Sequence, residues 1–291
     1  MRFHLVLAAA LLSSAGAALA AVPLARASGV GPGAEAAEVR AARRPGAPVV
    51  LSPQQAAEYH EFYFTRGRYA EEGRGRFGRG GFRGGGYGRW ATDYPKADQQ
   101  FMVVLKRLIV IDNYPLEHDL DLADPDIRRF PFVYVLEVSG MDLTEEQVIG
   151  LRNYLSAGGF LVVDDFWGPY ALDNLERQLA RVFPDKRLRE LPLNHSVFNN
   201  VYDVSNVVQV PNVRIGQMHG QYGTPTNEGP GSEIPHVLGM DDDRGELMVL
   251  VNWNTDLGDA WEWAEDPYYP LKFSTYAFEM GVNMIVYAMS H

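Results

Sequence analysis

The stretch "GGFLVVDDFWG", residues 158–168, runs four apolar residues into the adjacent carboxylates Asp164 and Asp165, followed by Phe166 and Trp167. Two charges at the end of an apolar run need partners, water or a ligand. A second acid- and aromatic-rich stretch, "NWNTDLGDAWEW", supplies Asp256, Asp259, Trp261 and Glu262. His195 in "LPLNHSVF" offers an imidazole, and Arg66 in "FTRGRY" offers a fork-shaped counter-charge to a carboxylate. Carboxylates and carbonyls together suit a hard cation such as Ca²⁺ or Mg²⁺. Adding a histidine shifts the preference toward Zn²⁺ or Mn²⁺. Two carboxylates flanked by tryptophans also suit a sugar, with one acting as acid and one as base across a glycosidic bond. The spacing alone assigns neither a metal nor a cofactor.

The same residue types have structural uses. Asp and Asn close turns and cap helices, and Trp packs cores. "TDYPKAD", with Asp93 and Asp98, reads as a turn followed by an N-cap, and Asp241–Asp243 read as acids of a hairpin turn. His195, between a proline turn and "SVF", has no second ligand at metal spacing beside it.

The elements that must position these groups follow from periodicity. "ADQQFMVVLKRLIVID" places Phe101, Val104, Leu105, Leu108 and Ile111 on one helical face. "FPFVYVLEV", 130–138, reads as a strand. "TEEQ" at 144–147 is a capping box whose helix stops at Gly158–Gly159. "FLVVDD" is the next strand, so strand, helix and strand form a βαβ unit with a parallel pair. A helix with Leu172, Leu175, Leu179 and Val182 in register follows. Residues 197–252 read as β-rich, ending in a hairpin across "DDDRGE", and a largely apolar helix spans about 274–289. The pattern predicts an α/β three-layer sandwich with a mostly parallel sheet. Its ligands are expected beyond the carboxyl ends of the strands, where "DDFWG" falls.

Composition narrows the function. The net charge of −11 argues against a nucleic-acid-binding body, and 46% hydrophobic residues suffice for a sizeable core. The absence of cysteine removes thiol nucleophiles, disulfides and thiolate metal sites. "MRFHLVLAAALLSSAGAALA" reads as a signal peptide cut after Ala20, which predicts export, with the periplasm as the destination. Residues 21–57 read as a linker, and no later segment reads as a membrane span. "GRGRFGRGGFRGGGYGR", 73–89, contains a literal G-x-G-x-x-G, but no periodic helix follows it, so a dinucleotide site is rejected. It reads as a mobile cationic loop.

The segments "FYFTRGRY", "WATDYPKAD", "YLSAGGFLVVDDFWG", "RVFPDKRLRELPLNHSVF", "LMVLVNWNTDLGDAWEWAEDPYYP" and "MGVNMIVYAMSH" occur in that order. Over about Glu58 to His291 the chain resembles the bacterial family of domain of unknown function 4159. The resemblance implies a flavodoxin-like layout similar to class I glutamine amidotransferase-like domains, and carries no established activity. Glutaminase chemistry is excluded, because there is neither a cysteine nor a G-x-S-x-G. Two readings follow. One is an exported, non-catalytic binding or assembly domain whose acidic, aromatic cleft holds a polar ligand or an envelope protein. The other is a hydrolase acting on an envelope glycan, metal-assisted or not. The missing nucleophile motif favours the first.

Overall fold

Strands that are apolar on consecutive positions need cover on both faces, and the computed structural model, which describes residues 60–72 and 88–291, supplies it. The proposed signal segment, the linker and the Gly/Arg-rich stretch through residue 87 lie outside the described residues. In chain order the elements are β1 (Thr65–Arg68), α1 (Lys96–Leu108), β2 (His118–Asp121), β3 (Phe132–Leu136), α2 (Glu145–Ser156), β4 (Phe160–Asp164) and α3 (Gly168–Val182). There follow β5 (Arg189–Glu190), α4 (Val213–Tyr222), β6 (His236–Asp241), β7 (Leu247–Trp253), α5 (Leu257–Glu262) and α6 (Leu271–Ser290).

The strands form one sheet in the order β2-β1-β3-β4-β7-β6-β5. From β2 to β7 all pairs are parallel, whereas β7-β6 and β6-β5 are antiparallel. The parallel part has the doubly wound order in which the chain reverses direction across the sheet between β1 and β3. Alternate residues of β3, β4 and β7 serve different layers. Val133, Val135, Leu161, Val163, Val249 and Val251 pack under α2 and α3. Phe132, Tyr134, Phe160, Val162 and Leu250 pack under α1, α5 and α6. The result is an α/β three-layer sandwich.

Local chemistry sets the boundaries. Thr144 caps α2 by accepting from Gln147 N at 3.2 Å while Gln147 Oε1 accepts from Thr144 N at 3.3 Å. Gly158, at φ +94°, lets the chain turn back into β4. The hairpin turn is held by Asp242, which accepts from Arg244 N at 2.7 Å and Glu246 N at 3.0 Å. Asp241 ends β6 instead of sitting in the turn, and forks Arg189. The expectation of a β-rich 197–252 holds only where β6 and β7 lie and is corrected before them: α4 lies there, capped by Asn212 Oδ1 on Ile215 N at 3.0 Å and ended by Gly223 at φ +67°. That start signal and that stop signal outweigh the valine content of the segment.

Candidate functional site

Four loops leave the carboxyl ends of the central parallel strands β1, β3, β4 and β7. Each contains one non-glycine residue held at positive φ: Asp93 (59°), Glu137 (54°), Asp165 (48°) and Asn254 (61°). Among the described residues these are the only non-glycine residues so held. Such conformations cost about 1–3 kcal/mol each and persist where neighbouring structure over-determines them. Here the neighbours are one another: Glu137 N donates to Asp165 O at 3.0 Å, and Asn254 N donates to Phe166 O at 3.0 Å. Asn254 Oδ1 in turn accepts from Gly168 N at 2.8 Å. The "DDFWG" and "WNTD" segments are therefore stitched side by side.

The two adjacent aspartates part company. Asp164 is 0% exposed, and its Oδ2 accepts from the Tyr134 hydroxyl at 2.5 Å and from Leu257 N, at the start of α5, at 2.9 Å. Of the partners, water or ligand that the pair needs, Asp164 has partners from the protein itself, and it ties β4 to the helix after β7. Asp165 is 6% exposed and points to the other acids, its Oδ1 accepting from Trp167 Nε1 at 3.3 Å. Neither acid caps α3, whose N-cap is Trp167.

Asp256, 3% exposed, caps α5 by accepting from Asp259 N at 2.8 Å. Asp259 accepts from Val213 N at 2.6 Å, and Glu262 pairs with Lys96 at 3.5 Å. One carboxylate oxygen from each of Asp93, Asp165 and Asp256 lies within 4.8 Å of the others, and Asp93, Asp259 and Glu262 form a second such set. Asp93 joins the two. Reading "TDYP" as a turn missed its part in the site, because nothing local shows that the loop after β1 folds over β7. A signal for Tyr134 was present: a phenol inside "FVYVL" must find a partner.

Arg66 is not a member of the cluster. It is fully buried on β1, forks Asp98 at 2.6–3.1 Å and donates to Thr92 O at 3.0 Å and Trp90 O at 3.4 Å. It thereby fixes the loop that presents Asp93. His195 does not join the acids either. Its Nδ1 accepts from Val197 N at 3.2 Å, and its charged neighbours are Arg189, Asp241, His291 and Glu246, at the other end of β7. Trp261 is core, packed on Phe101 (4.6 Å between centroids) and Tyr134 (5.6 Å), because α5 turns it inward against α1. Of the two tryptophans, only half-buried Trp167 borders the acids.

The electrostatics follow from burial. Asp164 is pushed up to about 7 by loss of water, against the pull of its hydrogen bonds from Tyr134 and the backbone. Asp165, Asp256 and Asp93 are raised well above the usual carboxylate range, first by burial and then by neighbouring acids. Asp259 is raised to about 6, again by burial first. Among the described residues no cation pairs with Asp93, Asp165 or Asp256; Lys96 is taken by Glu262, and Arg89 lies 3.7 Å from Glu137.

This architecture defines an α/β three-layer domain with an acidic site at the carboxyl edge of a doubly wound sheet. The chain belongs to the family described as Domain of unknown function (DUF4159), which matches residues 82–289. The match begins after β1, a strand that nevertheless sits inside the sheet between β2 and β3. No curated protein matches the chain in sequence. No helix among the described residues is long and apolar enough to cross a membrane.

Proposed function

We propose that this is an exported, non-catalytic binding or assembly domain that takes a cationic ligand, or a basic segment of an envelope protein, at its carboxyl edge. The observation that carries the reading is the excess of carboxylates there: Lys96 and Arg89 lie at the rim, and the one buried cation whose charge reaches Asp93, Arg66, is already paired with Asp98. Buried acids without counter-charges favour a positive ligand over a neutral one. The hydrolase reading fits less well. Asp93, Asp165 and Asp256 each bring one oxygen within 4.8 Å of the others, a convergence on one point that suits a cation better than two acids facing each other across a sugar bond. Asp164, whose raised value would suit a general acid, has no exposed surface from which to reach a substrate.

The test is a thermal-shift screen of the full chain against spermidine, oligo-lysine and soluble envelope glycan fragments, followed by mass spectrometry of the recovered compound. A polycation that stabilises the protein, loses that effect in Asp165→Asn and returns chemically intact supports the reading. A glycan fragment returned cleaved overturns it in favour of the hydrolase.

A further inference from the structure

We infer that Asp93, Asp165 and Asp256 form a binding site for one hard divalent cation, with calcium its best fit. The inference deepens the binding role proposed above and rests on the same edge of the sheet, but its geometry is independent of any organic ligand.

The three residues come from the loops after β1, β4 and β7, so the sheet brings them together and no local turn does. Oxygens around calcium sit about 2.3–2.6 Å from the ion, which places opposite ligands roughly 5 Å apart. Three carboxylate oxygens mutually within 4.8 Å therefore all reach one calcium ion. Mg²⁺ demands a tighter, near-ideal octahedron at about 2.0–2.1 Å, and the looser oxygen shell of calcium suits three acids carried on three separate loops. The donors are all oxygen, and His195 lies at the opposite end of β7, which disfavours Zn²⁺.

A second observation points to a ligand. Asp93 Oδ2 is buried and has no hydrogen-bond partner, although it lies in the middle of the cluster. Fully buried Asp164 likewise leaves its Oδ1 without a partner, and its field reaches all three acids. An unpaired oxygen in a dry place is unfavourable by itself and favourable beside a cation. Space is kept for this arrangement at Gly258. A Cβ there would come within 2.9 Å of Asp93 Oδ2 and 3.5 Å of Asp256 Oδ1. The bonds that Asp165 and Asp256 already accept come from neutral N–H groups, which orient the carboxylates without neutralising them. The alternative set of Asp93, Asp259 and Glu262 is weaker, because Lys96 occupies Glu262.

Trp167 provides the reporter. Its indole donates to Asp165 Oδ1 at 3.3 Å, so Tb³⁺ bound in place of Ca²⁺ will be excited through the tryptophan. The experiment titrates the full chain with Ca²⁺, Mg²⁺ and Mn²⁺ alone by calorimetry, and with Tb³⁺ alone by sensitised luminescence. One ion per chain is expected, with Ca²⁺ displacing Tb³⁺. Asp93→Asn and Asp256→Asn should each weaken binding at least about tenfold, since a charged ligand is lost from a small set. Asn at 256 still caps α5, so that variant folds. At saturating Tb³⁺, Trp167→Phe should lose most of the luminescence, which locates the ion beside the indole. No binding by calorimetry to the wild type, or binding unchanged in both Asn variants, overturns the site and leaves the acids sharing protons. Polycation binding that persists without metal would leave the proposed function standing while this site fails. Metal binding without any polycation effect would do the reverse.

Discussion

Asp98, 2% exposed, and Asp93, half-buried, flank the start of the same helix and behave as opposites. Asp98 is forked by the fully buried Arg66, whose Nη1 donates to the carbonyls of Trp90 and Thr92. That arrangement is closed: donors and acceptors are matched, and the guanidinium keeps its proton because Asp98 more than offsets the effect of burial. Asp93 has an Oδ2 with no partner and four acidic neighbours within reach, Asp165, Asp256, Asp259 and Glu262. The difference separates a buried acid that holds the fold from one that waits for a ligand. It also shows how the two are linked, since the first pair anchors the loop that delivers the second acid.

Breaking the closed pair should have the largest effect. Arg66→Met strands Asp98 without a counter-ion, and one-sided loss of a buried pair costs about 3–5 kcal/mol. For a domain of this size that corresponds to a drop of roughly 6–20 °C in Tm, measured by calorimetry. Asp165→Asn, at the open cluster, should leave the metal-free Tm unchanged or higher, because it removes a repelling charge. A loss at Asp165 comparable to that at Arg66 would erase the distinction. The next effect in size is calcium itself. At one hundred times its Kd it should stabilise the wild type by about 2.7 kcal/mol by mass action, and Asp256→Asn, at least about tenfold weaker, should lose about half of that shift or more at the same concentration.

The pH dependence of the metal-free protein sharpens the same contrast. Asp164, at about 7, and Asp259, at about 6, hold protons in the folded state that an unfolded chain releases near its ordinary value of about 3.9. Between about pH 4 and pH 7 the native state therefore binds more protons, and stability falls as pH rises through that window. Half-buried His118 and His195, both lowered chiefly by burial, act in the opposite direction as they charge below about pH 6.5. The acids are the more deeply buried, so melts in the presence of chelator should give a higher Tm at about pH 5.5 than at about pH 8. Asp164→Asn should flatten that difference. A Tm that climbs steadily with pH would mean the acids are ionised in the folded protein.

Much of the frame was legible because its signals are local. The capping box at Thr144, the glycine stop at 158 and the four apolar residues of β4 each specify their element within a few positions, and the βαβ unit follows. The site was legible only where one segment contained it. Asp165 beside Trp167 and Asp256 beside Asp259 stand out in the sequence, and their strands happen to be parallel neighbours. Asp93 did not stand out, because its role depends on a loop held from β1 by Arg66, a long-range pair that no periodicity reveals. Trp261 and His195 misled for the complementary reason. Residue type suggested a ligand, while the direction of α5 and the end of the sheet on which His195 lies decided otherwise.

Gly258→Ala tests the open cluster with the least disturbance. The glycine occupies the second position of α5, is not held at positive φ, and so tolerates a side chain in its backbone conformation. Alanine in a helix is favoured over glycine by up to about 1 kcal/mol, a gain that the crowding will partly cancel. What the new methyl meets is the free end of a side chain, Asp93 Oδ2 at 2.9 Å, with the Tyr134 hydroxyl at 3.4 Å and Asp256 Oδ1 at 3.5 Å. Asp93 can swing away at small cost, because it has no hydrogen bond at that atom to lose. Tm should therefore move by less than about 1 kcal/mol equivalent, while calcium affinity falls several-fold because one of its three carboxylates has left the set. A variant that melts several degrees lower with unchanged calcium affinity would show that Gly258 serves helix packing alone, and that Asp93 is as closed as Asp98.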